Sequence, residues 1–462
     1  MQGVVSEEAI AFGEYHSGIV PCAITYGRER RAGVAPYNPV MRCASPRSVA
    51  SLALLGLVSA VVGCSSDTAS PSATLPANTA PIIRVDDGIL TIGVLIPQGS
   101  ANADIGEAIG TAVQLAVDKI NAAGGYGGQG VRLVPADEGV AGVGVDPAIA
   151  TLLAAGVDAI VGPASSANAL AGLGEIVDAG IVACSPTSSA SLLDDFPDRD
   201  LFFRTIPSDS LQALAIAEAV DRTGASRATV AYIDDAFGQA FAESVEESLQ
   251  SKGIQQSDTV PYSADNASIE AAAAKVATTA NAVVVVIGDA TSGPVMLAAI
   301  DIAEPTVRPI YVVNDALRRP TASAEPMGSS LAERVTGTSP IAYSTDEQFL
   351  AQLGATPDNP SPYAANAYDC VNLIALAAWA SDSTQPTAIA AQIPAVSASG
   401  TPCMTFVDCR ANIEVGSNIN YDGPGGFLTI GSDGDVSAAE FELFGFDETG
   451  RDVKTGNVTA RG

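Results

Sequence analysis

The chain has 462 residues, of which 52 are Asp or Glu and 22 are Lys or Arg, giving a net charge of −30. A chain this acidic repels phosphate backbones and anionic headgroups, which argues against nucleic acid as a partner. Its one histidine, His16, lies in an N-terminal stretch that reads as removable. Ser-His-Asp and Cys-His catalysis and histidine-ligated metals therefore have no histidine to use.

Arg42 and Arg47 precede Ser48 to Gly63, an uncharged stretch rich in Leu, Val and Ala that ends in Val61-Val62-Gly63-Cys64. A basic region, a short apolar region and a small residue have the layout of a secretory signal. The apolar part is too short to cross a hydrocarbon core of ~30 Å as a stable helix. A cysteine directly after Gly63 resembles the bacterial lipobox, whose thiol is acylated and becomes the new N-terminus. Cys64 is thus the expected lipidation site. The mature protein is expected outside the cytoplasm, held to the cell membrane by lipid. Met41 would start a signal of ordinary length, so residues 1–40 read as an over-called N-terminus and 41–63 as the signal peptide. Cleavage would remove five basic and four acidic residues and leave a net charge of −31. Residues 64–87, rich in Ser, Thr, Ala and Pro up to Pro81, read as a flexible spacer. The remaining length suits two buried cores, and no second apolar run of about 20 residues follows.

From Ile89 the chain alternates apolar runs with helical patterns. Ile89–Pro97 is a nearly continuous run of β-branched and aliphatic residues, as in a strand covered on both faces. Ile105, Ile109, Val113, Ala116 and Ile120 recur at helical spacing, and Gly124-Gly125 ends that helix. Strands are expected at 131–135, 159–162, 181–185, 229–233, 282–287 and 309–313, with a helix over about 147–155 and helical segments between most of the others. Alternating β and α units build parallel sheets flanked by helices, and ligands bind at the carboxyl ends of such strands. Gly125-Tyr-Gly127-Gly128-Gln-Gly130 matches G-x-G-x-x-G, but it lies after a helix and before a strand. A dinucleotide site needs the reverse order, so these glycines read as a tight turn. No cofactor is expected. Ser432-Asp-Gly-Asp435 reads as a hairpin turn, because the remaining ligands of a metal loop are missing.

Five cysteines would survive processing. Cys403 and Cys409, six apart in an oxidising compartment, are expected to be bonded. Cys184 and Cys370 sit in apolar surroundings, where buried free thiols are a commoner outcome than a second bridge.

Several segments resemble the type I periplasmic binding proteins, most closely the leucine/isoleucine/valine-binding group that feeds branched-chain amino acid ABC transporters. They are Leu90-Thr-Ile-Gly-Val-Leu-Ile-Pro97, Leu115-Ala-Val-Asp-Lys-Ile-Asn-Ala-Ala-Gly-Gly125, Val161-Gly-Pro-Ala-Ser-Ser166, Ser185-Pro-Thr-Ser-Ser189, Tyr363-Ala-Ala-Asn-Ala-Tyr-Asp369 and Tyr421-Asp-Gly-Pro-Gly-Gly-Phe-Leu. The loop holding Cys403 and Cys409 is similar to that of lipoprotein members from high-GC Gram-positive bacteria. The resemblance implies an α/β fold of two lobes, each a parallel sheet with helices on both faces, joined by three crossing strands. These fall near Phe203–Ser208, Val335–Pro340 and Gly423–Phe427. Lobe 1 would take 88–207 and 341–424, and lobe 2 would take 208–340 and 425–462.

A small solute would lie between the lobes and draw them shut. Ser165 and Ser166 follow a strand at a helix start, where hydroxyl and backbone N–H groups suit a carboxylate. Thr187 and Ser189 match positions that contact the α-carboxylate and α-ammonium, though Ser and Thr also serve simply as caps. Asp315 matches an acidic position that holds the ammonium. Phe237 falls where relatives carry an aromatic, usually Tyr, over the ligand. Asp289 is either a second acceptor or the cap of the following helix. The expected function is a solute-binding protein of an ABC importer, with an amino acid as solute and a permease as partner. No catalytic residue, metal or nucleic acid is expected. The alternative is a ligand sensor that signals through a separate partner, since the chain encodes no output domain.

Overall fold

The computed structural model describes residues 86–462 apart from 100–101, 280–281, 304, 306, 320–325 and 357–360. The expectations for residues 1–63, for Cys64 and for most of the spacer lie outside the described residues.

The chain first builds β1 (Thr91–Ile96), α1 (Ala103–Ala122), β2 (Arg132–Asp137), α2 (Asp146–Ala154), β3 (Ala159–Val161), α3 (Ser166–Asp178), β4 (Val182–Ser185) and β5 (Phe202–Arg204). The strands make a parallel five-stranded sheet in the order β2-β1-β3-β4-β5. β3 and β4 have no exposed residue, because α-helices cover both faces and nearly every side chain is aliphatic or small. Each Val or Ile so buried contributes about 1.5–3 kcal/mol. α1 ends where expected: Gly125 has φ +65° and its N–H bonds the Ile120 carbonyl at 2.9 Å. A Cβ there would lie 1.9 Å from the Gln129 carbonyl oxygen, so the turn that carries the nucleotide-like glycines requires glycine for its own closure.

A second sheet follows from α4 (Asp209–Asp221), β6 (Arg227–Ile233), α5 (Ala236–Ser251), β7 (Gln255–Tyr262), α6 (Asn266–Thr279), β8 (Val283–Ile287), α7 (Ser292–Ile302), β9 (Ile310–Val313), α8 (Ser329–Ala332) and β10 (Val335–Pro340). The chain then adds α9 (Glu347–Leu353), α10 (Ala364–Ser381), α11 (Pro386–Ser397), β11 (Thr401–Cys403), α12 (Phe406–Glu414) and β12 (Ile419–Tyr421) to the first lobe. It ends in β13 (Ala438–Phe446) and β14 (Asp452–Arg461), which complete a seven-stranded sheet ordered β14-β13-β10-β9-β8-β6-β7. The last two strands are antiparallel, so the second sheet is parallel in its body and antiparallel at one edge.

The first passage between lobes follows β5. The second follows β10, which is itself a strand of the second sheet. The third differs from expectation. Leu428, Ile430 and Val436 are buried in the first lobe's core, so the chain crosses between Val436 and Ala438 and not at Gly423–Phe427. Asp369 explains why: buried in α10, it accepts from the Tyr421 hydroxyl at 2.7 Å and the Gly425 N–H at 3.0 Å, which pins the 421–425 loop to the first lobe.

Cys403 and Cys409 are bonded. The expectation for the other two cysteines is overturned: Cys184 and Cys370 form a second disulfide, joining β4 to α10 across 186 residues. Their apolar surroundings are real, since both are fully buried, but the fold stacks α10 on β4 with their Cα atoms 5.7 Å apart.

Candidate functional site

The turn between β3 and α3 passes through Gly162 and a cis bond to Pro163. Gly162 has φ +117°, and a Cβ would stand 2.1 Å from the Leu95 carbonyl oxygen, so only glycine lets this turn press against β1. Ser165 occupies the position before α3, and its side chain makes no capping bond. Its N–H and that of Ala164 donate to the Glu138 carboxylate at 3.2 and 2.7 Å. Burial pushes the Glu138 carboxyl up, and these N–H bonds oppose the shift.

Hydroxyls after β4 stitch this turn in place. Ser185 and Ser188 donate to the Pro163 carbonyl at 2.6 and 2.9 Å, and Thr187 donates to the Ala164 carbonyl at 2.7 Å. The Ala190 N–H donates to Ser166 Oγ at 3.3 Å. The consequence is a division of roles. Ser166 accepts and retains its proton, so it can donate to a carboxylate. Thr187 has used its proton and can only accept, which suits an ammonium. The structure therefore brings Ser165, Ser166, Thr187 and Ser189 to one cluster at the carboxyl ends of β3 and β4.

The facing acids come from the second lobe. Asp209 opens α4, its N–H bonded to the Ser189 carbonyl at 2.7 Å, with Ser208 capping the helix. Its carboxyl is buried and one oxygen, Oδ2, has no hydrogen-bond partner. Burial and then the Asp315 charge push it up to about 7, against the pull of the Ser189 hydroxyl and Arg204. One helical turn on, Gln212 Nε2 donates to Asp315 Oδ1 at 3.1 Å and to the Thr338 carbonyl at 2.8 Å. Asp315 begins a short 3₁₀ turn after β9, and burial raises its carboxyl while Gln212 and Arg318 hold it down. Tyr363, with φ +59° just before α10, completes the group. Burial drives its phenol up, and the Asp315 and Asp209 charges add to the effect.

The nearby cations are already engaged. Arg204, fully buried, donates to Asp194 and Asp435 and to the Ala190 carbonyl. Asp194 in turn accepts from the Ser208 and Ser210 hydroxyls, tying the turn after Ser189 to the start of α4. Arg318 is paired with Asp452 and Glu442 at 2.8 and 2.9 Å.

Two expected residues stand apart. Asp289 accepts from the N–H groups of Thr291 and Ser292 and from the Ser292 hydroxyl, so of its two expected roles the structure gives it the cap of α7. Phe237, in the first turn of α5, packs on both apolar layers of the second lobe and meets the Phe241 ring edge-on at 5.8 Å. Asp209, Gln212, Glu138 and Tyr363 carry no site role in the sequence reading. A signal for the first two exists: α4 is apolar almost all round, so polar residues three apart on it must face inward.

Two lobes are joined by three chain passages, with a hydroxyl-rich turn on one side and Asp209 and Asp315 on the other. The chain belongs to the periplasmic binding protein family, whose model matches residues 89–416. A chemotactic signal transduction system substrate-binding protein, BasB of Halobacterium salinarum, is 30% identical over 363 residues, covering 74% of this chain and 83% of that one. An ABC transporter substrate-binding protein from Desulfitobacterium hafniense in complex with Leu shares the fold with a TM-score of 0.58 at 22% identity, over 79% of this chain and 99% of that one. A solute-binding protein from R. palustris in complex with benzoate does so with a TM-score of 0.58 at 17% identity, over 81% and 98%. The family acts outside the cytoplasm, and no helix among the described residues is long and apolar enough to cross a membrane.

Proposed function

We propose that this protein binds an α-amino acid between its lobes as the substrate-binding component of an ABC importer, held at the membrane by lipid on Cys64. The single observation that carries the solute class is the buried Asp209 beside the half-buried Asp315, with one Asp209 oxygen unpartnered and the neighbouring arginines engaged elsewhere. Such a pair needs a cation, and an ammonium offers three donors in one compact charge. The start of α3 with the Ser166 hydroxyl suits the carboxylate of the same molecule, helped by the helix dipole. Thr187 and Ser189 would accept from the ammonium, with Ser165 shaping the turn. Binding is non-covalent, and no chemical step is assigned to the chain.

The test is a thermal-shift screen of the purified protein against the twenty amino acids, their α-hydroxy analogues, small amides and benzoate. A ligand at 100 times its dissociation constant should add about 2.7 kcal/mol to the folded state. Stabilisation by an amino acid and not by its hydroxy analogue supports the reading, and a hit confined to benzoate or other anions overturns it. A second reading, a receptor that reports its ligand to a signalling partner, is favoured by the chemotactic relative. Solute uptake that persists after deletion of the gene, with taxis lost, would select it.

A further inference from the structure

We propose that the Asp209–Asp315 pair holds one proton in the empty cleft and that the arriving ammonium displaces it, so that ligand binding exchanges one cation for another. This rests on the amino-acid reading above. Asp209 and Asp315 both belong to the second lobe, and Gln212 bridges α4 to the turn that holds Asp315, so the pair persists whether the lobes are open or closed. Gln212 offers its amide to Asp315, yet Asp209 Oδ2 and Gln212 Oε1 remain buried without partners.

The groups facing the pair do not neutralise it. From the turn after β4, Ser189 supplies a hydroxyl, and the following 3₁₀ turn supplies Asp194, a further negative charge. Arg204 on β5 is saturated by Asp194 and Asp435, and Arg318 by Asp452 and Glu442. β10 contributes only the neutral Thr338, and the residue before α10 contributes the phenol of Tyr363. A buried carboxylate beside a half-buried one, with both neighbouring arginines already paired to other acids, cannot ionise cheaply. The cheapest occupant is a proton, which agrees with the upward displacement of Asp209 to about 7.

An ammonium offers the same charge with more donors. The exchange balances: the Asp209 carboxylic acid plus R–NH₃⁺ gives the carboxylate–ammonium pair and one proton released to solvent. A ligand lacking the cation, such as an α-hydroxy acid, leaves the proton in place. The pair is therefore specificity-determining in a pH-dependent way. Below neutral pH the proton competes with the ammonium, and affinity falls up to ~tenfold for each pH unit lost. Above it, affinity is flat until the ligand amine itself deprotonates.

The test is calorimetry of leucine binding in buffers of differing ionisation enthalpy at pH 6 and pH 8.5, together with an infrared titration of the ligand-free protein. Release of close to one proton at pH 6 and none at pH 8.5, with the release lost in Asp209→Asn, is expected. Leucine binding with no proton release at pH 6 overturns the exchange while leaving the amino-acid reading intact. If leucine does not bind, the infrared titration decides: a protonated-carboxyl C=O band that titrates near neutral pH in the wild type and weakens in Asp209→Asn supports the pair. Asp369, the other acid pushed up to about 7, retains its band in that variant. Identical titrations in wild type and variant overturn the proposal.

Discussion

The two lobes are built for different tasks. The first is cross-linked: one continuous core spans both of its chain segments, two disulfides close it, and hydroxyl-to-carbonyl bonds hold the 162–166 and 185–190 turns together. The second has separate apolar layers on the two faces of its sheet and no disulfide among its described residues, yet it brings the buried Asp209 and the half-buried Asp315 together. The difference teaches that a closing cleft can divide its labour. In the proposed reading, the Ser166 hydroxyl on the stiffened lobe would meet the ligand carboxylate, while the Ala164 and Ser165 amides stay with Glu138. Asp209 and Asp315 on the other lobe would take the ligand ammonium, and that contact would draw the lobes together.

The largest expected effect tests the stiffening. Converting Cys184 and Cys370 to alanine opens a loop that includes the whole of the second lobe's main segment. In the loop-entropy account this removes about 5 kcal/mol of stability, against about 2 kcal/mol for the Cys403–Cys409 pair. Urea denaturation of the two double variants measures both, and equal losses would break the contrast. A smaller effect separates charge from neutral donors. Asp315→Ala should weaken amino-acid binding by about 2–5 kcal/mol, because it deletes the half-buried acid proposed to pair with the ligand ammonium. Ser166→Ala should cost about 1 kcal/mol. Titration calorimetry that finds the serine variant the weaker binder would reverse the assignment of roles.

The smallest effect is in pH. Asp369 in the first lobe and Asp209 in the second are both raised to about 7, above the ordinary carboxyl range. An acid raised by folding stabilises the fold fully below its unfolded value, near ~4, and loses that contribution as pH rises through 7. Between pH 6 and pH 8 each group should therefore cost the ligand-free protein on the order of 1 kcal/mol. Ligand should cancel the loss at Asp209 and leave that at Asp369. Melting curves of wild type and Asp369→Asn, with and without leucine, resolve the two.

Much of the architecture was legible because it depends on local pattern. Runs such as Val283–Ile287 can only be strands buried on both faces, and the spacing from Ile105 to Ile120 can only be one helix face. β7 was harder to see, since its Gln, Ser, Asp and Pro residues lie at an edge and carry no apolar run. The antiparallel β13 and β14 were hidden because their pairing depends on contacts far apart in the chain. The hydroxyl cluster was legible from residue type at strand ends, whereas Asp209 looked like one more acid at a helix start.

The sequence by itself determined the alternation of strands and helices, the acidic balance, the family and the hydroxyl turn, all of which follow from short-range spacing and residue chemistry. Only the tertiary structure decided that Cys184 meets Cys370, that the third crossing waits until Val436, that Asp289 is a cap, and that Asp209 faces Asp315. Each of these depends on which distant segments share a buried volume, and burial, by removing water, is what turns an ordinary carboxyl or thiol into a partner in need of one.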